Sequence, residues 1–98
     1  MHVVVAYDIQ RDDVREKVRR LLWRYGLCPI SKSVYAGRLT RTRMEILARR
    51  LGEMVCESDS IVLIPLQDRD FFNAISVTKN KVWRRGEERD VIVVGEDT

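Results

Sequence analysis

The sequence predicts an α+β fold in which helices cover one face of a single sheet. Short apolar runs rich in β-branched residues occur at 3–7, 61–66 and 91–94, and such runs are typical of strands. Apolar residues recur with helical spacing over 13–25 and again over 42–55. Because strands and helices alternate along the chain, the two helices should pack against the same face of one sheet.

The length of 98 residues predicts one domain over 1–98. We expect its core over about 1–78, and a basic connection with a last strand over 79–98. The hydrophobic share of 45% and the charged share of 34% exclude an intrinsically disordered chain. No apolar run approaches the ~20 residues that span a bilayer, and no signal-peptide pattern precedes the first valines. We therefore expect no membrane partner and a cytoplasmic location.

Cysteine and histidine are scarce, which limits the chemistry open to one chain. Cys28 and Cys56 form no C-x-x-C pattern, so structural thiols in a reducing compartment are favoured over a disulfide or a zinc site. His2 is the only histidine, which argues against a His-based triad or a multi-histidine metal site. Any metal would then be held by oxygen ligands, as Mg²⁺ and Mn²⁺ are.

The first strand, within 2–9, is predicted to lie in the middle of the sheet and to be covered on both faces. Its apolar run ends on Asp8, and α/β folds commonly bind their ligands outside the carboxyl ends of strands. Two interpretations of Asp8 stay open at this point. It is either a functional carboxylate or a residue that only caps the turn into the next helix.

The first helix is predicted to begin at a capping box formed by Asp13 and Glu16 and to end at Gly26. Its outer face is strongly basic, which is typical either of a solvated helix or of a surface that contacts phosphate. The basic residues of this face are Arg15, Lys17, Arg19, Arg20 and Arg24.

The segment over 28–39 is predicted to be extended, either as one bent strand or as a tight pair of short strands. Pro29 favours a strand start or a sheet edge, and Gly37 marks a bulge or a close approach of the backbone. The second helix should begin near 40–42, with a capping-box pattern over 42–45.

Four features are predicted after the second helix. The run over 61–66 predicts a second strand buried on both faces. A short turn or helix over 68–74 and a short strand over 75–78 follow. The stretch over 79–89 is predicted to be a polar connection that contacts phosphate. Its basic residues are Lys79, Lys81, Arg84, Arg85 and Arg89.

The last predicted strand, 91–94, is too apolar to be a solvated edge. An exposed apolar strand pairs readily with another chain unless something covers it. We therefore expect this strand to extend the sheet of a partner copy and so to produce a symmetric homodimer.

Several segments of the chain resemble one known family, and the resemblance covers most of the chain. The segments are Val5 to Ile9 followed by Asp12 and Asp13, Tyr25-Gly26-Leu27, Ser33 to Leu39, and Asp59 to Leu66. In this order and spacing they are similar to the CRISPR-associated small adaptation proteins, the second of the Cas series, known as CRISPR-associated endoribonucleases.

The resemblance implies a ferredoxin-like βαββαβ-type sandwich with an antiparallel sheet, a homodimer, and a role that depends on Mg²⁺ (or Mn²⁺). It implies a CRISPR integrase subunit and duplex DNA as partners, with single-stranded RNA as a further class of ligand. By position in the family's motifs, Asp8 is the catalytic and metal-binding carboxylate, and Tyr7 and Tyr35 support it.

The basic residues of the family map onto this chain with two departures. Arg15 and Lys17 correspond to a basic pair in the first helix, whereas Pro29 and Ser31 replace an arginine and a glutamine of the family. If that arginine contacts phosphate in the family, either Lys32 substitutes for it or the contact is absent. The predicted nucleic-acid-binding residues are therefore Arg15, Lys17, Arg19, Lys32, Arg84 and Arg85.

Elementary chemistry agrees with this assignment of Asp8. One aspartate is a poor magnesium site, but two copies of Asp8 facing each other in a dimer would share one ion. Such an ion lowers the pKa of a bound water and offsets charge on an attacked phosphodiester. The alternative for Tyr7 and Tyr35 is packing in the core or in an interface.

Two functions are predicted, and they are compatible. One is a metal-dependent endonuclease acting on RNA or DNA, and the other is an adaptor that binds duplex DNA and bridges integrase subunits during spacer acquisition. The alternative outside this family is a ferredoxin-like toxin-type endoribonuclease or a non-catalytic RNA-binding module. The RNA-binding module is disfavoured because no predicted strand carries the aromatic cluster that stacks single-stranded bases.

Overall fold

The structure is a computed structural model that describes residues 1–86. The elements in chain order are β1 (His2–Asp8), α1 (Asp12–Arg24), β2 (Cys28–Ser31), β3 (Val34–Arg38), α2 (Arg41–Gly52), β4 (Ser60–Leu66), α3 (Asp68–Asn73), β5 (Ile75–Thr78) and β6 (Lys81–Arg84). The strand predicted at 91–94, with its role in a dimer, lies outside the described residues. Within 1–86, no helix is long and apolar enough to cross a membrane.

The chain divides into two compact units, Met1–Leu66 and Gln67–Thr98. The first unit holds an antiparallel sheet of four strands in the order β2-β3-β1-β4. Together with the element order βαββαβ, this confirms the predicted α+β class and the ferredoxin-like arrangement. The single domain over 1–98 stays a prediction.

β1 is the central strand of this sheet, as its apolar run predicted. Residue Val5 lies opposite Tyr35 of β3 on one side and opposite Leu63 of β4 on the other. Val3 and Val5 are completely buried, whereas Val4 between them is only half-buried. Because side chains alternate along a strand, one face of β1 carries the core and the other is less covered. The central position of β1 is therefore confirmed, whereas its predicted cover on both faces is complete on one face only.

The core lies between the inner face of the sheet and the two longer helices. From the helices, it takes the residues at helical spacing, because these fall on one side of each helix. The helical residues buried there are Val14, Val18, Leu21, Leu22, Leu47 and Leu51. Leu27 and Leu39, which lie at the ends of the β2–β3 segment, complete the core.

β4 corrects the prediction of a second strand buried on both faces. It is an edge strand of the described sheet, and only Ile61 and Leu63 pack against the core. Val62 and Ile64 are 51% and 42% exposed on the opposite face. The reason is that both helices pack on the same side of the sheet, so the apolar run of β4 has cover for one face only.

The segment over 28–39 forms a tight pair of strands, which settles the alternative left open by the sequence. β2 is an edge strand, in agreement with its proline, and the register of β2 with β3 shifts between Pro29 and Ser31. Gly37 marks a close approach: a Cβ atom there would lie 2.7 Å from Cδ2 of Leu27 and 2.9 Å from the carbonyl oxygen of Gly26. Gly26 follows the end of α1 with φ of 84°, which is the left-handed conformation that favours glycine.

Neither helix uses the capping box that the sequence predicts. The N-cap of α1 is Arg11, which makes no side-chain cap, and Asp13 lies inside the first turn. The carboxylate of Asp13 instead accepts two hydrogen bonds from Arg11, at 3.0 and 2.7 Å. In α2 the hydroxyl of Thr40 accepts a hydrogen bond from the backbone N–H of Arg43 at 3.1 Å. In α1 the carboxylate of Asp13 binds Arg11 and does not act as the N-cap. In α2 the N-cap is Thr40, which lies before the predicted box over 42–45.

The second unit contains α3 and a hairpin of β5 and β6. β6 corrects the prediction that 79–89 is only a polar connection. Its residue Val82 pairs with Val77 of β5, and only Lys79 and Asn80 separate the two strands. Cross-strand apolar pairs such as Val77 and Val82 stabilise a hairpin. In the sequence the lysine and arginine residues around Val82 make this short strand difficult to recognise.

The close approach at Gly37 predicts a strong and selective effect of adding one methyl group. Gly37→Ala should destabilise the protein by about 1–3 kcal/mol, because the new Cβ would overlap backbone atoms that cannot move freely. Gly52→Ala is the matched control, since Gly52 ends α2 with open space around it. That variant should be neutral or more stable by up to about 1 kcal/mol. Urea unfolding measures both changes, and equal midpoints for the two variants would contradict the prediction.

Candidate nucleic-acid interface at the end of the first strand

A cleft of about 500 Å³ lies at the carboxyl end of β1. Three parts of the first unit form it: the end of β1 with the residue that follows it, one side of α1, and the turn between β2 and β3. The residues that line it are Tyr7, Asp8, Ile9, Arg15, Arg19, Lys32 and Ser33. Five residues predicted from the sequence as site residues therefore come together here: Tyr7, Asp8, Arg15, Arg19 and Lys32.

Backbone pairing explains why residues distant in sequence meet at this cleft. β3 pairs with β1, and the backbone N–H of Tyr7 donates to the carbonyl oxygen of Ser33 at 3.0 Å. This bond holds the β2–β3 turn, with Lys32, beside the end of β1. On the other side, Arg15 and Arg19 lie one turn apart on α1, so both side chains reach the same side of the helix.

Asp8 is the exposed last residue of β1, opposite Ser60 of β4. Because strand residues alternate, Asp8 shares the less covered face of the sheet with Val4 and Ala6, not the inner face of Tyr7. In the turn into α1 the backbone N–H of Gln10 donates to Oδ1 of Asp59 at 3.1 Å, and the N-cap position of α1 is Arg11. Asp59 thus takes one of the bonds that the capping alternative would give to Asp8.

The cleft carries more positive than negative charge. Three cationic side chains, those of Arg15, Arg19 and Lys32, line it together with the carboxylate of Asp8. Nη1 of Arg15 donates to the carbonyl oxygen of Ile9 at 2.8 Å, and Nη2 forms an ion pair with Asp12. Arg15 is thus held by the loop that leaves β1 and by Asp12 at the wall of the cleft.

Tyr7 joins the strand, the turn and the helix through its hydroxyl. That hydroxyl donates to the carbonyl oxygen of Lys32 at 2.7 Å and accepts from Nε of Arg19 at 3.2 Å. The hydrogen bond from Arg19 raises the pKa of this guanidinium above its ordinary value. Tyr7 therefore fixes both the turn and the arginine, although its ring is buried.

Tyr35 lies beside Tyr7 in the core, with ring centroids 6.3 Å apart. Both rings are more than nine-tenths buried, which confirms the packing alternative for the rings. Burial raises the pKa of the Tyr35 phenol, so this group stays protonated at neutral pH. Of the two tyrosines, only Tyr7 has a place on the wall of the cleft.

Lys17 is an exposed residue that does not line the cleft, unlike the other member of its predicted pair, Arg15. The two residues are separated by two positions, and this spacing puts them on different sides of a helix. Arg84 and Arg85 belong to the second unit. There Nη1 of Arg85 donates to Oγ of Ser76 at 3.3 Å, and its guanidinium lies 5.6 Å from the ring centre of Phe71. Their role in nucleic-acid binding stays a prediction.

Asp8 is the one acidic residue among those that line the cleft, and its role as a metal ligand stays a prediction. Within residues 1–86, no group of three or more His, Cys, Asp or Glu residues could hold a metal ion. The nearest acidic residues in the sequence, Asp12 and Asp13, are engaged by Arg15 and Arg11. Cys28 and Cys56 are free and exposed.

Asp59 is a residue whose role the sequence alone does not reveal. Its carboxylate accepts hydrogen bonds from the backbone N–H of Gln10 at 3.1 Å and of Cys56 at 2.9 Å. These bonds join the loop after β1 to the loop before β4, and they lower the pKa of Asp59 below its ordinary value. An aspartate before a strand signals a turn, but its partner 49 residues earlier leaves no local pattern.

Trp23 is a second residue that the sequence reasoning passed over. It lies on α1 outside the apolar stripe that faces the core, and it is 63% exposed. It lines a groove of about 240 Å³ together with Arg19, which also lines the cleft. The sequence does indicate this exposure, because Trp23 does not share the helical spacing of the apolar residues that face the core.

The sequence over residues 1–74 matches the model of one protein family, described as CRISPR associated protein Cas2. The chain belongs to the Cas2 family. A relative from Thermofilum pendens, named CRISPR-associated endoribonuclease Cas2, is 43% identical over 74 residues, which cover 76% of this chain and 80% of that protein. The resemblance predicted from the short motifs is therefore confirmed, and the alternative families are not supported.

Two further Cas2 comparisons extend this finding. A protein from Thermoproteus tenax, named CRISPR-associated endonuclease Cas1/endonuclease Cas2 fusion, is 42% identical over 64 residues, which cover 65% of this chain and 24% of the fusion. The crystal structure of Cas2 from Streptococcus pyogenes at pH 6.5 has a TM-score of 0.62 and 22% identity, and covers 97% of this chain and 100% of its own. The latter likeness shows the common fold.

The hydrogen bonds of the Tyr7 hydroxyl predict a measurable loss when that oxygen is removed. Tyr7→Phe should lower the free energy of unfolding by about 1–2 kcal/mol, because the buried ring stays but two hydrogen bonds are lost. Tyr25→Phe is the control, since the Tyr25 hydroxyl has one long, exposed bond from Arg50, at 3.4 Å. Urea unfolding should show a clear difference, and equal losses would refute the role given to Tyr7.

The lowered pKa of Asp59 predicts how stability depends on pH. A group whose pKa is lower in the folded state stabilises the fold above its unfolded pKa, about 4 for Asp. That contribution is lost as the pH falls through the folded-state pKa. Asp59→Asn should therefore reduce stability at pH 7 and flatten its dependence on pH below about 4. Thermal melts over this range measure the effect, with Glu57→Gln in the same loop as a control that should keep the dependence of the parent.

Proposed function

We propose that this chain is a CRISPR-associated endonuclease that uses Mg²⁺ (or Mn²⁺) to hydrolyse nucleic acid, with RNA favoured as the substrate, and that it acts as a homodimer. The observation that carries the proposal is the cleft, in which one exposed carboxylate, Asp8, stands among Arg15, Arg19 and Lys32. The name endoribonuclease, borne by relatives such as the one from Thermofilum pendens, supports RNA.

The cationic side chains of the cleft suit a phosphodiester backbone. Arginine presents a planar fork of donors that matches two oxygens of one phosphate, and lysine adds a mobile point charge. Arg15 and Arg19 are already oriented by their bonds to Ile9 and Tyr7, so little side-chain freedom remains to be lost on binding. These three residues would hold the phosphate beside Asp8.

The donor set of one copy fits a metal only in part. Mg²⁺ commonly takes one or two carboxylates and keeps several waters, so a single Asp8 gives a weak site. The Asp8 residues of two copies together would give an adequate one. When bound, the ion supplies a water of lowered pKa and offsets charge on the phosphate. Arg15, Arg19 and Lys32 would position the phosphate and neutralise part of its charge.

A homodimer is supported by the register of the sheet. Asp8 lies opposite Ser60, while Ala6 and Val4 lie opposite Val62 and Ile64. The carboxylate therefore shares one sheet face with two exposed apolar side chains of the edge strand β4. A second copy that covered these apolar residues would bring its own Asp8 toward the first.

A second function, that of an adaptor, has an observation of its own. The relative from Thermoproteus tenax joins Cas1 and Cas2 in one protein, which supports an association of this chain with a CRISPR integrase subunit. In this role the homodimer bridges integrase subunits and binds duplex DNA through phosphate contacts. The basic side chains suffice for such contacts, so the adaptor role does not require Asp8.

Asp8→Asn separates the catalyst from the adaptor. In the parent protein, cleavage of single-stranded RNA should require Mg²⁺ or Mn²⁺, and one ion should bind per two chains. The variant should lose more than about 100-fold in cleavage rate, since removing even a partner of a metal ligand costs 10–100-fold. Duplex DNA binding should stay unchanged. Oligonucleotide cleavage, Mn²⁺ titration calorimetry and DNA binding measure these three outcomes.

Asp13→Asn is the matched control. Asp13 lies near the same loop, but its carboxylate is bound by Arg11 and does not line the cleft. This variant should cleave like the parent. A parent that binds DNA and the integrase subunit but cleaves no RNA or DNA with either metal would contradict the nuclease and leave the adaptor. One ion bound per single chain would contradict the shared site.

A further inference from the structure

A groove beside the cleft combines an apolar wall with two arginines. The residues that line it are Glu16, Arg19, Arg20, Trp23, Pro29 and Tyr35, and its volume is about 240 Å³. Arg19 lines both this groove and the cleft. The two concave sites therefore adjoin each other at one side chain, and α1 supplies most of the residues that line the groove.

Trp23 gives this groove its unusual character. The neighbouring residue Leu22 is completely buried in the core, whereas Trp23 is 63% exposed. Single exposed apolar residues are common on protein surfaces, so exposure alone indicates nothing. Here, however, the indole shares a concave site with the exposed Pro29, and the largely buried Tyr35 contributes only the edge of the wall.

The charges at the groove are arranged around one carboxylate. Glu16 lies between the two arginines, 3.6 Å from Nη1 of Arg19 and 3.7 Å from Nε of Arg20. These contacts orient both guanidinium groups and leave the pair with a net positive charge. An apolar face next to positive charge complements a nucleotide, which has a flat base and an anionic phosphate.

We propose that this groove binds one unpaired base of a single-stranded nucleic acid, stacked on Trp23, while the adjoining phosphate lies in the cleft beside Arg19. The inference rests on the nucleic-acid binding of the proposed function and adds to it a separate site for one base. In a duplex the faces of the bases are stacked on one another, so no base is free to enter the groove.

The four described strands of the first unit carry no exposed aromatic ring on which a base could stack. Single-strand-binding sheets stack bases on aromatic residues of an open face. In the four-stranded sheet the aromatic residues are Tyr7 and Tyr35, and both are buried toward the helices. An exposed aromatic ring next to the cationic cleft is found instead on α1, at Trp23.

The test measures binding in the presence of a chelator, so that it does not depend on cleavage. Trp83→Phe leaves Trp23 as the only tryptophan of the chain. The probes are an oligouridine of about ten nucleotides, an abasic sugar-phosphate strand of the same length, and a duplex DNA, since single-strand sites typically span about 4–16 nucleotides. The oligouridine should quench the fluorescence of Trp23, and the abasic strand and the duplex should not.

Variants at Trp23 then separate stacking from packing. Trp23→Ala should weaken oligouridine binding about tenfold, because stacking of one base contributes on this scale, and should change duplex binding less than about twofold. Trp23→Phe should restore most of the affinity, since it keeps an aromatic face. Ile46→Ala is the matched control, an exposed apolar residue on the other long helix, and it should bind like the parent.

Three results would overturn the inference. The first is an equal loss of affinity for the oligouridine and the abasic strand. The second is unchanged oligouridine affinity together with weaker binding of the integrase subunit, which would assign the groove to a protein partner. The third is a parent that binds no single strand, which contradicts the proposed function as well. Binding with Trp23 quenching but no cleavage by the parent would contradict the nuclease alone and support the groove.

Discussion

The pairing of β1 with β3 is the interaction on which the candidate site depends. It places Val5 opposite Tyr35 in the core, and at its end the N–H of Tyr7 bonds to Ser33. The same few residues thus finish the sheet and position the turn that carries Lys32. Because the Tyr7 hydroxyl then bonds both to that turn and to Arg19, helix α1 is tied to the same point. The contacts that complete the core therefore also form the walls of the cleft.

One-sided packing is the second constraint on this small unit. Two helices cover the inner face of the sheet, and the first unit, Met1–Leu66, contains no third helix that could cover the other face. The apolar residues Val62 and Ile64 of β4 are therefore exposed, and Asp8 shares their face. An exposed apolar strand edge is a surface that associates readily. The second copy of the proposed homodimer would cover these side chains and bring a second Asp8 toward the first.

Arg19 connects the two concave sites of the first unit. Its guanidinium bonds to the Tyr7 hydroxyl in the cleft and lies near Glu16 at the groove. A charged group with this many oriented contacts stays in place without a ligand, which lowers the entropic cost of binding one. The exposed indole of Trp23 then differs from an incidental surface residue, because a fixed cation stands next to it.

The sequence by itself determined the elements and the family of this protein. Periodicity located β1, α1, α2 and β4, Gly26 ended α1, and Pro29 placed β2 at an edge, because each of these signals is local. The short motifs from Val5 to Leu66, taken together in their order and spacing, likewise indicated the Cas2 family, which the match to the family model confirms. Capping was less predictable, since the Asp13 carboxylate is taken by Arg11 and Thr40 lies earlier than the box over 42–45.

Only the tertiary structure decided which residues meet. The run of β4 is apolar throughout, yet its exposure depends on the side on which both helices pack, and the sequence of β4 does not contain that information. Arg15 and Lys17 look equivalent in sequence, but the rotation of α1 brings Arg15 and Arg19 to the cleft and leaves Lys17 outside it. Asp59, not Asp8, holds the loop after β1, because a bond across 49 residues forms only when the sheet is assembled. Contacts between distant residues are set by strand pairing and helix packing, and no local pattern records them.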